Sequence, residues 1–498
     1  MLSTQAGVSL RDLLPVARFV RSPDVRATSC CTEADQCQPG DVFVAISSDR
    51  YDGHEQASDA VQRGASAVVA ERLLPVEVPL VMVDDSREAL GEICQALVDY
   101  PSDSLRTVGV TGTHGKTVVS WLVASVLKAA GGHPGMTTSI AHSDSLEGAP
   151  ARQTTPPAPQ LARWLARMTE AGCDSAVVEV SSRALVERRV AGIDFDAAVL
   201  TSLGRAHLAL HGSVENYHRA KERLFAQLKC GGFAVLNADD EACQRLAGRI
   251  DVPLLTYGMN SEADVTGSVI ERQISEQTFY LRAGDELIPV RSRILGDSHV
   301  SSCLAAATVG LAVGIDLPTI VRGLEAVERI PGRLERIECG QSFGVFVDAA
   351  RSPERLAYAL RTLRKVTRGR LICVAGAPGG RKKSGRAWLG RVLERSCDVP
   401  VLTADDPRHE EPLAIAHDLL DGFQRAAKAH VLPNRSRAIE AALAMARPGD
   451  TVVIAGKGDR VGQIVGNQRL DHDDRDVAQQ WLYRGGSEPI RPRFRVVG

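Results

Sequence analysis

The run Val110-Thr-Gly-Thr-His-Gly-Lys-Thr117 constrains this chain more than any other segment. It continues an apolar, β-branched stretch from Arg106 to Thr111 and leads into a helical stretch from Lys116 to Ala130. A strand, a glycine-rich turn and a helix start, in that order, form a cradle for anions. Gly112 and Gly115 let the backbone approach phosphate oxygens, while the free N–H groups and positive dipole end of the helix face them. In such a cradle Lys116 sits on β- and γ-phosphates and the Thr117 hydroxyl ligates Mg²⁺. Strict phosphate-loop spacing asks for glycine at position 110, where this chain has valine. A glycine-rich turn with a surface lysine is the plain alternative.

At 498 residues the chain is long enough for about three domains of ~150 residues each. Lysine plus arginine total 59 against 61 acids, a net charge of −2. That balance removes electrostatics as a reason to expect nucleic acid or an anionic membrane as the main partner. Aromatics are only 4%, too few for stacking platforms to organise a site. The eleven cysteines are scattered, apart from the adjacent Cys30 and Cys31, and form no C-x-x-C pair, so neither a disulfide scaffold nor a structural zinc is expected. The N-terminus lacks the pattern of a signal peptide. The longest apolar stretch, Leu304 to Ile315, falls short of the ~20 residues a membrane span needs. The expectation is a reduced, soluble, cytoplasmic enzyme, monomeric and acting on small molecules.

Short β-like runs (Asp41–Ile46, Ala67–Ala70, Val78–Val83) alternate with helical stretches before Pro101-Ser-Asp-Ser104, which reads as a linker. Beyond the phosphate loop, strands at Ala176–Val180, Ala197–Thr201 and Phe233–Asn237 alternate with helices, the pattern of parallel α/β layers. Ser275–Ile288 reads as a small antiparallel insertion, and a second boundary falls near Gly332-Arg333. Four further buried strands are predicted at Val345–Asp348, Leu371–Ala375, Val399–Thr403 and Thr451–Ala455, each ending in a polar or glycine-rich loop. In open α/β sheets, ligands gather at such carboxyl ends. The fold class is therefore α/β in three domains: residues 1–103, 104–333 and 334–498.

The form Gly-Thr-His-Gly-Lys-Thr resembles the Mur ligases, ATP-dependent amide-forming enzymes of peptidoglycan precursor synthesis, and further landmarks follow in order over nearly the whole chain. Pro39-Gly-Asp-Val-Phe-Val-Ala45, Asp52-Gly-His54 and Gly64-Ala65 resemble the family's UDP-binding domain. Thr154-Thr-Pro156, Glu179-Val-Ser-Ser182, His207-Leu208, His211-Gly212 and Ala220-Lys-Glu-Arg-Leu-Phe225 resemble its central P-loop domain. Asn237-Ala-Asp-Asp-Glu241 follows, and then Gly332-Arg333, Asp348, Asp405-Asp-Pro-Arg408 and Gly456-Lys-Gly458 lead through its Rossmann-like C-terminal domain. The branch most similar joins a third residue, meso-diaminopimelate or lysine, to UDP-MurNAc-L-Ala-D-Glu.

The resemblance implies roles residue by residue. Gly112, Thr113, His114, Gly115, Lys116 and Thr117, with Arg333 and Asp348, would bind ATP. Lys116, Glu179, His207 and Lys221 would form the catalytic set. Thr117, Glu179, His207 and a carbamylated Lys221 would hold Mg²⁺. Thr154, Thr155, Ser181 and Arg189 would contact the UDP-sugar peptide. Arg386, Asp405, Asp406, Arg408, Gly456 and Arg460 would line the amino-acid site. Read without that register, Glu179 serves equally as a capping or ion-paired glutamate, His207 as a cap or core histidine, and Lys221 as part of an exposed helix face.

Departures from the family pattern lie mostly away from the phosphates. Ser-Ser-His is Ser181-Ser-Arg183 here, Asp-His-Leu-Asp is Ala206-His-Leu-Ala209, Asp-Tyr-Ala-His is Asp348-Ala-Ala-Arg351, and Gly-Asp-Arg-Asp is Gly379-Gly-Arg-Lys382. The family's diaminopimelate enzymes carry Gly-Lys-Gly-His-Glu, whose glutamate holds the incoming ammonium; this chain has Gly456-Lys-Gly-Asp-Arg460. Losing one partner of a buried charge pair costs ~2–5 kcal/mol, and reversing its sign at least as much. Arg408 in Asp-Asp-Pro-Arg nevertheless favours diaminopimelate, because a planar guanidinium suits a carboxylate. Three readings remain open: that ligase, a divergent paralogue with another amine or carboxylate substrate, and a non-catalytic nucleotide- or UDP-sugar-binding relative.

Overall fold

The computed structural model describes residues 7–48, 51–205, 208–380 and 383–485. The chain divides into two compact units, residues 1–266 with 302–323, and residues 267–301 with 324–498.

Among the described residues, the first unit carries two large sheets and a two-stranded ladder that pairs Val8–Ser9 with Arg26–Ala27. The N-terminal large sheet contains β1 (Arg18–Val20), β2 (Cys30–Cys31), β3 (Val42–Val44), β4 (Ala67–Ala70) and β5 (Leu80–Met82), in the order β1-β5-β4-β3-β2. β3 and β4 are buried throughout, which explains their unbroken apolar sequence. Helix α1 (Ser86–Ala96), capped by Asp85 on the N–H groups of Arg87 and Glu88, covers one face. The expected linker at Pro101–Ser104 is instead a packed 3₁₀ turn. Pro101 and Ser102 are buried, and the Ser102 carbonyl accepts from Lys229 Nζ at 2.7 Å.

The central sheet is built on β6 (Arg106–Thr111), β7 (Pro134–Thr137), β8 (Ser175–Glu179), β9 (Phe195–Leu200), β10 (Leu228–Asn237) and β11 (Leu254–Gly258). These run parallel in the order β7-β8-β6-β9-β10-β11. After β6 the chain builds β7 and β8 on one side and β9 and β10 on the other. The C-terminal end of β6 is thus the switch point, where open α/β sheets leave a crevice. Helix α2 (Lys116–Ala129) starts directly at that crevice and buries Val119, Leu122, Val123 and Val126.

In the second unit, β12 (Gln277–Ala283) and β13 (Glu286–Ser292) form the antiparallel hairpin expected near Ser275, turning at Gly284 with φ +57°. A six-stranded sheet follows, from β14 (Glu335–Arg336), β15 (Gly344–Asp348), β16 (Leu371–Ala375), β17 (Val399–Leu402), β18 (His430–Val431) and β19 (Thr451–Ala455), ordered β14-β15-β19-β16-β17-β18. Apart from β14 its pairings are parallel. Separate apolar clusters, one around Leu356, Leu360 and Leu393 and one around Ile439, Leu443 and Val477, cover its two faces. β15, β16, β17 and β19 occupy the four predicted strand positions. Among the described residues, no helix is long and apolar enough to cross a membrane.

Candidate active site

The phosphate loop leaves β6 at Gly112, whose φ is +146°, and re-enters helix at Gly115, with φ +83°. A Cβ on Gly112 would collide with Thr201 Oγ1, so this glycine is required by both conformation and space. Thr201, just past β9, donates to the Thr111 carbonyl at 3.2 Å and to that of His114, while Ser202 accepts the Thr113 and His114 N–H groups. The loop shape is therefore held from the neighbouring strand.

Two lysines point at one carbonyl of this loop. Lys116 Nζ donates to Gly112 O at 3.0 Å, and Lys221 Nζ donates to the same oxygen at 2.8 Å. Lys221 lies on helix α3 (Val214–Glu222) and is only 1% exposed, not on a solvated face. Burial and then the Lys116 charge push its ammonium well below the ordinary lysine value. The Tyr217 ring lies 4.8 Å from its Nζ, and the Tyr217 hydroxyl lies 3.0 Å from Thr113 Oγ1.

Opposite the lysines, Glu179 ends β8 and is 2% exposed. Its Oε1 accepts from Thr117 Oγ1 at 3.1 Å and its Oε2 from the Ser139 N–H at 2.8 Å, while the Thr117 and Ser139 hydroxyls lie 2.9 Å apart. A carboxylate and two hydroxyls beside the phosphate loop are hard oxygen donors of the kind Mg²⁺ takes. His207, expected in the same set, lies outside the described residues.

The next turn joins the proposed sugar-peptide residues to this centre. Thr155 Oγ1 donates to the Glu179 carbonyl at 2.8 Å and accepts from the Ser181 N–H at 3.0 Å. Ser181 caps the short helix after β8, and Arg189 donates to the Thr155 carbonyl at 2.6 Å while pairing with Glu187. Thr154 is half-buried beside them. His211 Nε2 lies 3.1 Å from Ser182 Oγ.

In the second unit, expected site residues lie at the carboxyl ends of β15, β17 and β19. Asp348 accepts the Leu334 and Ala350 N–H groups, and burial pushes its carboxyl up. Arg351 donates to Gly456 O at 2.9 Å, to Asp405 at 3.0 Å and to Asp406 at 3.3 Å. Lys457, fully buried, pairs with Asp406 at 2.7 Å. Arg386 is held by Glu410 and Asp418, both at 2.7 Å, and its hydrogen bonds draw the Glu410 carboxyl down to about 2. Arg408 has φ +54° and an exposed side chain; Arg460 is exposed as well. The sequence reading did not assign Ser139, Tyr217, Thr201, Arg351 or Lys457. Arg351 and Lys457 stand inside motifs already singled out, whereas Ser139, Tyr217 and Thr201 carry no local signal and are recruited by the sheet.

A phosphate-loop cradle at a sheet's switch point, followed by a second α/β unit that gathers charged residues at its strand ends, is an arrangement suited to an ATP-using enzyme of the α/β class. The Mur ligase middle domain matches residues 110–310, and the Mur ligase glutamate ligase domain matches residues 332–458. The UDP-N-acetylmuramoyl-L-alanyl-D-glutamate–2,6-diaminopimelate ligase of Bacillus licheniformis is 38% identical over 477 residues, 93% of this chain and 96% of its own. The enzyme of the same name from Gloeobacter violaceus is 38% identical over 466 residues, 92% of this chain and 94% of its own. A solved structure of a ligase of that name aligns with a TM-score of 0.70 at 26% identity, over 97% of this chain and 100% of the other. The MurF ligase of Thermotoga maritima in complex with ADP shares the fold, with a TM-score of 0.61 at 22% identity over 86% of this chain and 93% of its own. The chain belongs to the Mur ligase family.

Proposed function

We propose that this chain joins meso-diaminopimelate to the D-glutamate of UDP-MurNAc-L-Ala-D-Glu at the expense of ATP, in the cytoplasm and as a monomer. The observation that carries the reading is the convergence, at one sheet switch point, of Lys116 and Lys221 on Gly112 O, of Glu179 with Thr117 and Ser139, and of Thr155 on the Glu179 carbonyl with Ser181 donating to Thr155. A carboxylate is a poor electrophile. Its oxygen therefore first attacks the γ-phosphorus of ATP, releasing ADP and forming an acyl phosphate. The amine then attacks the acyl carbon, phosphate leaves, and the ammonium's excess protons pass to solvent.

The protein's part is positioning and charge. The loop N–H groups and Lys116 hold the phosphates, and Arg333 and Asp348 bind ATP with them. Thr117, Glu179 and His207 would hold Mg²⁺, which neutralises phosphate charge when bound. Thr154, Thr155, Ser181 and Arg189 orient the sugar-peptide carboxylate, the work of residues 104–333 with the UDP end held by residues 1–103. The amine is received by residues 334–498, through Arg386, Asp405, Asp406, Arg408, Gly456 and Arg460.

Lys221 carries a carbamate in this reading. Its neutral amine attacks CO₂, forming an N–C bond and releasing a proton, so a cation becomes a carboxylate. Burial and Lys116 both disfavour the ammonium and favour that change of sign.

A second reading keeps the ATP chemistry but changes the amine. It is favoured by Arg460, exposed where related enzymes place an ammonium-binding glutamate, and by Arg386, whose guanidinium is occupied by Glu410 and Asp418. Phosphate release measured with ATP, Mg²⁺ and UDP-MurNAc-L-Ala-D-Glu, adding amines one at a time, separates the two. Stimulation by meso-diaminopimelate with tripeptide mass supports the first, and stimulation by another amine supports the second.

A further inference from the structure

Three loops of the second unit are locked together around Arg333. Gly332 has φ +64°, and a Cβ there would collide with the Asp459 N–H nitrogen. Gly458 has φ +60°, and its Cβ would stand 2.5 Å from Ala349 Cβ. The Ala349 N–H donates to Gly332 O at 2.9 Å, and the Gly456 N–H donates to Asp348 O at 2.8 Å. Neither glycine can be replaced without separating the loops.

On this frame Arg333 Nη1 donates to Asp459 Oδ1 at 2.9 Å and to Gly332 O at 3.0 Å. The two side chains are 24% and 15% exposed, so the pair is largely withdrawn from solvent. An ion pair between flexible surface side chains contributes little. Here both backbones are fixed by glycine contacts, and the guanidinium is bonded to a carboxylate and a carbonyl at once. Such a pair orients the guanidinium. Asp459 stands where the family's diaminopimelate enzymes have histidine, in the loop assigned above to the incoming amine.

We propose that Asp459 is a positioning residue for Arg333, and that through it phosphoryl transfer depends on the shape of the amine-receiving loop. The inference rests on Arg333 serving the nucleotide. It also means that the Asp459 carboxylate, already engaged by Arg333, is not available to replace the missing ammonium-binding glutamate.

The test is steady-state kinetics on the full chain with ATP, Mg²⁺, UDP-MurNAc-L-Ala-D-Glu and the amine that stimulates turnover. Variants are Asp459→Asn, Asp459→Glu, Arg333→Ala and the double Arg333→Ala/Asp459→Asn, each checked for its melting temperature. Asp459→Asn should lower kcat ~10-fold and raise the KM for ATP, leaving the KM for the amine within about twofold. Asp459→Glu should recover most of the loss, and the double variant should be no worse than Arg333→Ala. A raised amine KM with unchanged ATP parameters, or losses that multiply in the double variant, would overturn the proposal while leaving Arg333's role intact. Wild-type kinetics for Arg333→Ala would overturn that role and the proposal with it. Should Asp459→Asn not fold, Asp459→Glu decides: retained ATP parameters support positioning by charge, and a changed amine KM alone refutes it.

Discussion

Gly112 and Lys221 mark the two extremes of what single residues disclose. Gly112 is legible at once, because a glycine between a strand and a Lys-Thr helix start has few other uses. Its φ of +146° and its closeness to Thr201 show why no side chain fits. Gly112→Ala should therefore shift the loop and reduce turnover at least ~10²-fold, with the melting temperature checked alongside. Lys221, by contrast, reads locally as part of an exposed helix, and only the family register singles it out. Its burial comes from helix α3 lying under the phosphate loop, a contact spanning more than a hundred residues that no local pattern encodes. Lys221→Ala should lower kcat by on the order of 10²-fold, and short-chain carboxylates should restore part of it by supplying the missing negative charge. Full activity of the variant would remove Lys221 from the machinery.

Elements were legible where a strand is buried on both faces, since an unbroken apolar run bounded by glycine or polar residues has one reading. β6, β8, β9, β16 and β19 are of this kind. What holds their ends was not legible. Arg435, at the start of α4 (Arg435–Met445), is 1% exposed and donates to Asp474 at 2.6 and 2.7 Å, to Ala455 O at the end of β19 and to Ala404 O after β17. Burial would raise the Asp474 carboxyl, but Arg435 and His472 outweigh it and hold it well below the usual carboxylate range. One guanidinium thus fixes two strand ends against the helix that begins at Asp474, beneath the loops assigned to the amine. Asp474→Asn leaves a buried charge without its counterpart and should cost ~3–5 kcal/mol, measured by denaturant unfolding. A loss within ~0.5 kcal/mol, the range of ordinary surface substitutions, would contradict this placement.

For the molecule as a whole, the α/β class and the order of strands and helices followed from alternation and turn residues. The partition into two compact units did not, because residues 302–323 return to the first unit after the chain has entered the second. Such a return leaves no mark in composition. A whole-molecule property also follows from one group: burial lowers the His299 imidazole to about 4, against about 6.5 in an unfolded chain. The unfolded state then binds the extra proton between those values, so the contribution of this group to stability is complete above pH 6.5 and is lost as pH falls toward 4. His299→Gln should remove up to about 3 kcal/mol of that slope, read as melting temperature against pH. A slope unchanged in the variant would place the proton uptake elsewhere. The central claim is ligation through an acyl phosphate, and isotope transfer tests it most directly. UDP-MurNAc-L-Ala-D-Glu labelled with ¹⁸O in the glutamate carboxylate is incubated with ATP, Mg²⁺, meso-diaminopimelate and the enzyme. The expected result is a tripeptide product with one ¹⁸O atom carried into each inorganic phosphate released; tripeptide formed without label in the phosphate, or phosphate released with no tripeptide, would contradict it.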